Sequence, residues 1–156
     1  MAPRYPIVYE REREWWRSHY WILEQLGDER SRQVIEMRYA LGKQPEPLPL
    51  ERIAELIDRT AERVRQVTAE AKAKVLRFRR KTQSITIAEL ELSNRSRNAL
   101  KNYYESRVTT VWDLISIGED SLWAVPSMGE VSRADVFQAL HNHPDGPFFM
   151  KKERPF

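Results

Sequence analysis

Between residues 61 and 79 the apolar residues Val64, Val67, Ala71 and Val75 fall three, then four, then four positions apart. That rhythm suits one face of an α-helix, because a strand facing a core would need every second residue. Arg63, Arg65, Gln66, Lys72 and Lys74 fall on the other side, so the segment predicts an amphipathic helix with a basic outer face. Thr60 is well placed as its N-cap, since the hydroxyl can accept a backbone N–H that the first turn leaves unpaired. Just upstream, residues 50–57 read as a short helix with Ile53, Leu56 and Ile57 inward, and Asp58-Arg59 as the tight turn between the two helices. Pro45, Pro47 and Pro49 stop any earlier helix from running into this pair.

The rest of the chain also reads as helix. Residues 9–26 open with the alternating charges Glu10-Arg11-Glu12-Arg13-Glu14 and continue in two apolar stripes, Trp16-Tyr20-Leu23 and Trp15-Ile22-Leu26. A face that wide needs cover, either from the domain that follows or from a dimer mate or partner. A helix over residues 28–41 turns Val34, Ile35 and Tyr39 inward. Polar Lys81-Thr82-Gln83-Ser84 reads as a domain junction, and Thr86 with Glu89 as a capping box. Ser93 should cap a helix reaching Tyr104 that buries Leu100 and one of Tyr103 or Tyr104. Short helices follow near 110–116 and 119–124, offering Val111, Trp112, Leu114, Leu122 and Trp123 to a core. A Pro126-Ser127-Met128-Gly129 turn leads into a last helix over 130–141, whose first N–H groups make a natural phosphate seat. The fold class is therefore all-α, in two small helical domains over residues 1–81 and 82–144 with an extended tail at 145–156. Phe148, Phe149 and Phe156 in that tail are costly to leave wet, which points to docking on this protein or a partner.

Composition narrows the function. A chain of 156 residues, 41% apolar and 31% charged, is globular rather than disordered. No apolar run approaches the roughly 20 residues that span a bilayer, and Met1-Ala2-Pro3-Arg4 does not resemble a signal peptide. The absence of cysteine excludes disulfides, thiolate metal sites and cysteine catalysis. A cytoplasmic location is expected. His141-Asn142-His143 with Asp145 is better read as surface than as a metal site, so no metal is expected. Phosphate-cradling glycine loops, paired acid–base groups and nucleophile motifs are absent from the sequence, so neither an enzyme nor a cofactor is expected.

Charge is distributed unevenly. Residues 61–81 hold eight basic against two acidic side chains, whereas residues 82–140 hold five against eight. A run of this kind is either a solvated helix face or a polyanion-binding element. With the capped helix and tight turn it forms the pattern of a helix-turn-helix, whose second helix enters a major groove with its first residues at base edges.

Specific blocks then carry a resemblance. Val34-Ile35-Glu36-Met37-Arg38-Tyr39, Leu50-Glu51-Arg52-Ile53-Ala54-Glu55 and Thr60-Ala61-Glu62-Arg63-Val64-Arg65-Gln66-Val67 resemble region 4 of bacterial primary sigma factors. The resemblance implies that Thr60, Glu62, Arg63, Arg65 and Gln66 face a promoter major groove, and that the domain docks on the flap of the RNA polymerase β subunit. Ala61 stands where that family usually has a base-reading arginine, so the resemblance implies DNA binding without implying the usual −35 sequence as target.

A second resemblance covers residues 85–140. Leu90-Glu91-Leu92-Ser93-Asn94-Arg95-Ser96-Arg97-Asn98-Ala99-Leu100-Lys101, Thr109-Thr110-Val111-Trp112-Asp113-Leu114 and Met128-Gly129 with Ser132 are similar to the C-terminal domain of the RNA polymerase α subunit. Arg95 would then enter the minor groove of A·T-rich DNA, supported by Asn98, Gly129 and Ser132. That insertion is physically sensible, because a narrow A-tract groove concentrates negative potential. Glu89 and Glu91 match the patch by which that domain touches sigma region 4. Ser127 stands where that family usually has asparagine, and Glu130 and Val131 where lysine is common; the two lost cations should weaken phosphate attraction.

Together the resemblances imply a bacterial or phage transcription factor that binds double-stranded promoter DNA and engages RNA polymerase, recruiting or redirecting it. Nothing in the chain resembles the sigma region that melts promoters. The alternatives are an autonomous DNA-binding repressor or architectural protein, and a polymerase-binding inhibitor that needs no DNA.

Overall fold

The computed structural model describes residues 7–152, with side chains from Tyr9 onward. The expectations for Met1–Arg4 and for Pro155 and Phe156 lie outside the described residues. Among the described residues eight α-helices follow one another: α1 (Ile7–Leu26), α2 (Glu29–Tyr39), α3 (Leu50–Ile57), α4 (Ala61–Gln83), α5 (Asn94–Tyr104), α6 (Val111–Ile117), α7 (Glu119–Trp123) and α8 (Glu130–Asn142). Single 3₁₀ turns occupy Ile87–Glu89 and Glu105–Arg107. The fold is all-α. Among the described residues the one strand-like feature is an antiparallel bridge between Thr86 and Thr110. The chain divides between Arg77 and Phe78 into two compact units.

In the first unit, α1 lays its aromatic face on α2. Tyr9 stacks on Tyr39 with ring centroids 5.7 Å apart, and Trp16 lies 6.3 Å from the same ring. The Tyr39 hydroxyl donates to Glu12 at 2.8 Å, while Arg13 donates to the Tyr39 and Ala40 carbonyls that the end of α2 leaves unpaired. Of the two covers the sequence left open for this face, the structure supplies the internal one.

The helix-turn-helix is built on a separate cluster. Val34 of α2, Ile53 and Ala54 of α3, and Val64 and Val67 of α4 form its buried core, with Met37, Leu48, Leu50, Ile57 and Ala61 packed around them. Losing one such fully buried aliphatic side chain generally costs about 2–5 kcal/mol, so the register of α3 against α4 is tightly held. Leu56 departs from the expectation: it is 52% exposed, and Ala54 takes the inward position. The inward stripe of an eight-residue helix is narrow, and Ile53, Ala54 and Ile57 already fill it.

The second unit begins inside α4. The sequence suggested a junction at Lys81-Thr82-Gln83-Ser84, yet α4 runs unbroken to Gln83. Its inward stripe continues past Val75 through Phe78 and Thr82, both buried. Thr82 does this at little cost, because its hydroxyl donates to the Phe78 and Arg79 carbonyls at 2.9 and 3.0 Å. A polar residue type thus concealed the last turn of an apolar stripe.

Of the two docking sites expected for the tail phenylalanines, the structure supplies the one on this protein. Phe148 and Met150 are buried, and Phe149 stacks on Phe78 with centroids 5.3 Å apart. The Phe148 N–H donates to the Leu140 carbonyl at 2.9 Å, and Lys151 exchanges bonds of 2.8 and 2.9 Å with Ile115 and Glu119. Residues 145–152 therefore strap the second unit rather than trail from it.

Elsewhere in this unit Tyr104 is the buried tyrosine of its pair, while Trp123, expected in the core, is 52% exposed. Arg133 lies over that indole at 3.9 Å and donates to the Trp123 carbonyl at 3.2 Å. Val125 and Met128 fill the core in its place.

Candidate nucleic-acid interface

Two surfaces, one in each unit, gather the polar residues singled out above. The first is the start of α4. Asp58 closes α3 in the left-handed conformation, φ 55° and ψ 53°, which aspartate tolerates better than most residues. Its N–H and that of Arg59 return to carbonyls of α3, so the turn is compact. Thr60 accepts the Arg63 N–H at 3.1 Å and caps α4. Its hydroxyl is thus engaged in holding the helix start.

Glu62, Arg63, Arg65 and Gln66 are all exposed on that first stretch of α4. They are also paired. Arg65 grips Glu62 through two parallel hydrogen bonds of 2.9 and 2.6 Å. The Arg65 hydrogen bonds hold the Glu62 carboxyl below the usual carboxylate range, and Glu62 in turn raises the guanidinium. Arg63 reaches Gln66 and Glu70, each at 3.4 Å. Farther along, Lys72 lies 5.1 Å over the Trp15 ring and 3.8 Å from Glu12, so it helps dock α1.

The second surface surrounds the first turn of α5. Ser93 caps that helix by accepting the Ser96 N–H at 3.2 Å, and its own N–H donates to Asp135 of α8 at 2.9 Å. Arg95 is exposed on the first turn, between two shallow depressions. One, of about 410 Å³, is lined by Arg95, Asn98, Ala99, Asn102, Tyr103, Pro126 and Ser127. Gly129, Glu130, Val131, Ser132 and Asp135 line the other with Arg95. The structure therefore brings Arg95, Asn98, Gly129 and Ser132 together around one spot.

These residues differ in what they can offer. Other arginines of this unit are tied down: Arg97 to the Leu90 carbonyl, Arg107 to those of Tyr103 and Tyr104, and Arg133 to Trp123. Arg95 carries no such tie, nor do the Asn98 and Asn102 carboxamides, among the described residues. Ser132 is only 6% exposed, with its carbonyl accepting the Ser96 hydroxyl, so its side chain is a support beneath the surface. Gly129 precedes α8 with no side-chain cap over the helix start, and a Cβ built there would meet nothing within 4 Å. Ser127 holds φ 68° in the turn before it.

Glu89 and Glu91 share a third, acidic depression with Asp135, Asn142 and His143. Glu89 is partly used: it accepts the Thr86 N–H at 2.6 Å and hydroxyl at 3.0 Å, and these bonds lower its pKa. Sequence reasoning missed Asn102, although it stands seven residues after Arg95 and so on nearly the same helix face. No group of three or more potential metal ligands occurs among the described residues. Nor is any helix there long and apolar enough to cross a membrane.

Comparison with known proteins gives each unit a counterpart. Residues 22–77 match the family Sigma-70, region 4. Residues 77–142 match the family of C-terminal domains of the bacterial RNA polymerase alpha subunit. The DNA-directed RNA polymerase subunit alpha of Aquifex aeolicus (strain VF5) is 36% identical over 58 residues, or 37% of this protein. The match spans only 17% of that relative's length. No solved structure matches at a significant level. Both matched families are DNA-binding parts of the transcription machinery, and this protein is a fusion of a sigma region 4-like helix-turn-helix domain with an RNA polymerase alpha C-terminal domain-like module.

Proposed function

We propose that this protein is a transcription factor that holds promoter DNA at two points and brings RNA polymerase to it, or redirects polymerase already bound. The start of α4 enters a major groove, with Glu62, Arg63, Arg65 and Gln66 toward bases and phosphates and Thr60 fixing the helix start. Arg95 enters a minor groove, flanked by Asn98 and by the Gly129 turn, with Ser132 supporting from below. The observation that carries the proposal is Arg95 itself. An exposed, untied guanidinium between two shallow depressions suits insertion into a narrow groove, where negative potential is concentrated.

The β flap is the proposed docking point for the first unit, and the Glu89–Glu91 surface a second protein contact. The protein would then work in the cytoplasm, where the polymerase is, with no catalytic step of its own. The test is capture of the tagged protein from nuclease-treated bacterial lysate at moderate salt, with promoter-DNA binding measured in parallel. Recovery of β and β′ without DNA, together with DNA binding, is the expected result. DNA binding without polymerase would leave an autonomous repressor or architectural protein. Polymerase without DNA binding would leave an inhibitor.

A further inference from the structure

The minor-groove surface extends beyond the residues assigned to it so far. Along α5, Arg95, Asn98 and Asn102 are spaced by three and then four residues, so they form a single stripe on one helix face. Seven residues bring a helix back to within about 20° of its starting direction, and they advance about 10.5 Å along its axis. All three side chains line the same depression, together with Pro126, Ser127 and Tyr103, which is 40% exposed. Neither carboxamide is engaged elsewhere in the protein among the described residues.

Building on the minor-groove contact proposed above, we infer that Asn102 is a second reading residue, which donates from its carboxamide to a base edge in the same minor groove that receives Arg95. The chemistry fits. The minor-groove edge of an A·T pair offers only acceptors, adenine N3 and thymine O2, to which an amide NH₂ can donate. The edge of a G·C pair puts the guanine amino donor in that place, where it opposes a carboxamide that presents its NH₂. With α5 laid along the groove, at about 3.4 Å per base pair, the advance from Arg95 to Asn102 covers about three pairs. The surface therefore takes a run of A·T pairs, with discrimination at both ends of the run.

The experiment uses the full-length protein and a duplex carrying an A·T tract, with single pairs replaced in turn by G·C or by inosine·C, which lacks the guanine amino group. Wild type should lose affinity for a G·C pair about three steps from the pair where Arg95 enters, and inosine·C should restore it. Asn102→Ala should bind the intact tract about fivefold more weakly, the effect of one lost hydrogen bond. Its salt dependence should be unchanged, because a neutral amide releases no counterion. The distal G·C penalty should vanish in this variant while the penalty at the Arg95 pair persists. Wild-type affinity in Asn102→Ala, or an undiminished distal penalty, overturns the assignment of Asn102. If instead Arg95→Ala leaves affinity for the tract unchanged, the minor-groove contact itself fails and Asn102 falls with it.

Discussion

The two surfaces proposed to face DNA pose opposite electrostatic problems. At the start of α4 the cations are already occupied: Arg65 by Glu62, Arg63 by Gln66 and Glu70. A phosphate approaching Arg65 must compete with a bidentate carboxylate. At α5 Arg95 has nothing to give up, while its neighbours Arg97, Arg107 and Arg133 are committed to carbonyl oxygens. In the proposed contact the first surface would trade one partner for another and so gain selectivity more than strength. The second would gain a full charge interaction on the proposed contact.

That contrast can be broken by substitution. The largest effect is expected for Arg95→Ala, which should weaken DNA binding at least about tenfold and reduce the slope of log affinity against log salt by about 0.9. Fluorescence anisotropy over a salt series measures both. Arg65→Ala should cost less, about fivefold, with a smaller change in slope, because the lost cation also releases Glu62 from its pair. Glu62→Gln sharpens the comparison: it leaves Arg65 without its carboxylate, so binding to unrelated duplex should rise and its salt dependence should steepen. If Arg65→Ala changes the slope as much as Arg95→Ala, the pairing on α4 does not matter for binding.

Asp113 tests stability rather than contact. Burial pushes its carboxyl up, but the N–H groups and hydroxyls of Thr109 and Thr110 outweigh this and hold it below the ordinary range. A lowered folded-state pKa contributes stability above the unfolded value of about 3.9, and that contribution is lost as pH falls through the folded value. Asp113→Asn should therefore cost about 1 kcal/mol near neutral pH, with the gap from wild type closing in acid. Chemical denaturation at a series of pH values checks this. Gly129→Ala should have the smallest effect on the fold, within about 0.5 kcal/mol, because its backbone is in the extended region and the added methyl meets nothing. Any loss of DNA affinity in that variant then reports a close approach of the nucleic acid.

Much of the architecture was legible from residue spacing. The proline cluster, the Thr60 cap and the Ser93 cap place the starts of α3, α4 and α5 where they lie, although α4 runs four residues past its expected end. The departures share one cause: residue type alone does not fix environment. Thr82 is polar but satisfies its own hydroxyl within the helix, so it is buried. Trp123 and Leu56 are apolar but fall beside an inward stripe already filled, so they are exposed. For the candidate surfaces, the sequence located Arg95 and Gly129 but held no sign that Arg97 and Arg133 are tied while Arg95 is not. That distinction depends on which carbonyls lie within reach, which only the folded protein determines.

The burial of Phe78 and Thr82 bears on how this protein can be taken apart. A cut placed where the composition turns polar, after Lys81, would remove the ring on which Phe149 stacks and uncover Phe148 beside it. The released piece would carry a fresh sticky patch, and its poor behaviour would be mistaken for intrinsic instability. Dissection ahead of Phe78 keeps those rings together, and fragments of the second unit made for binding work should start there.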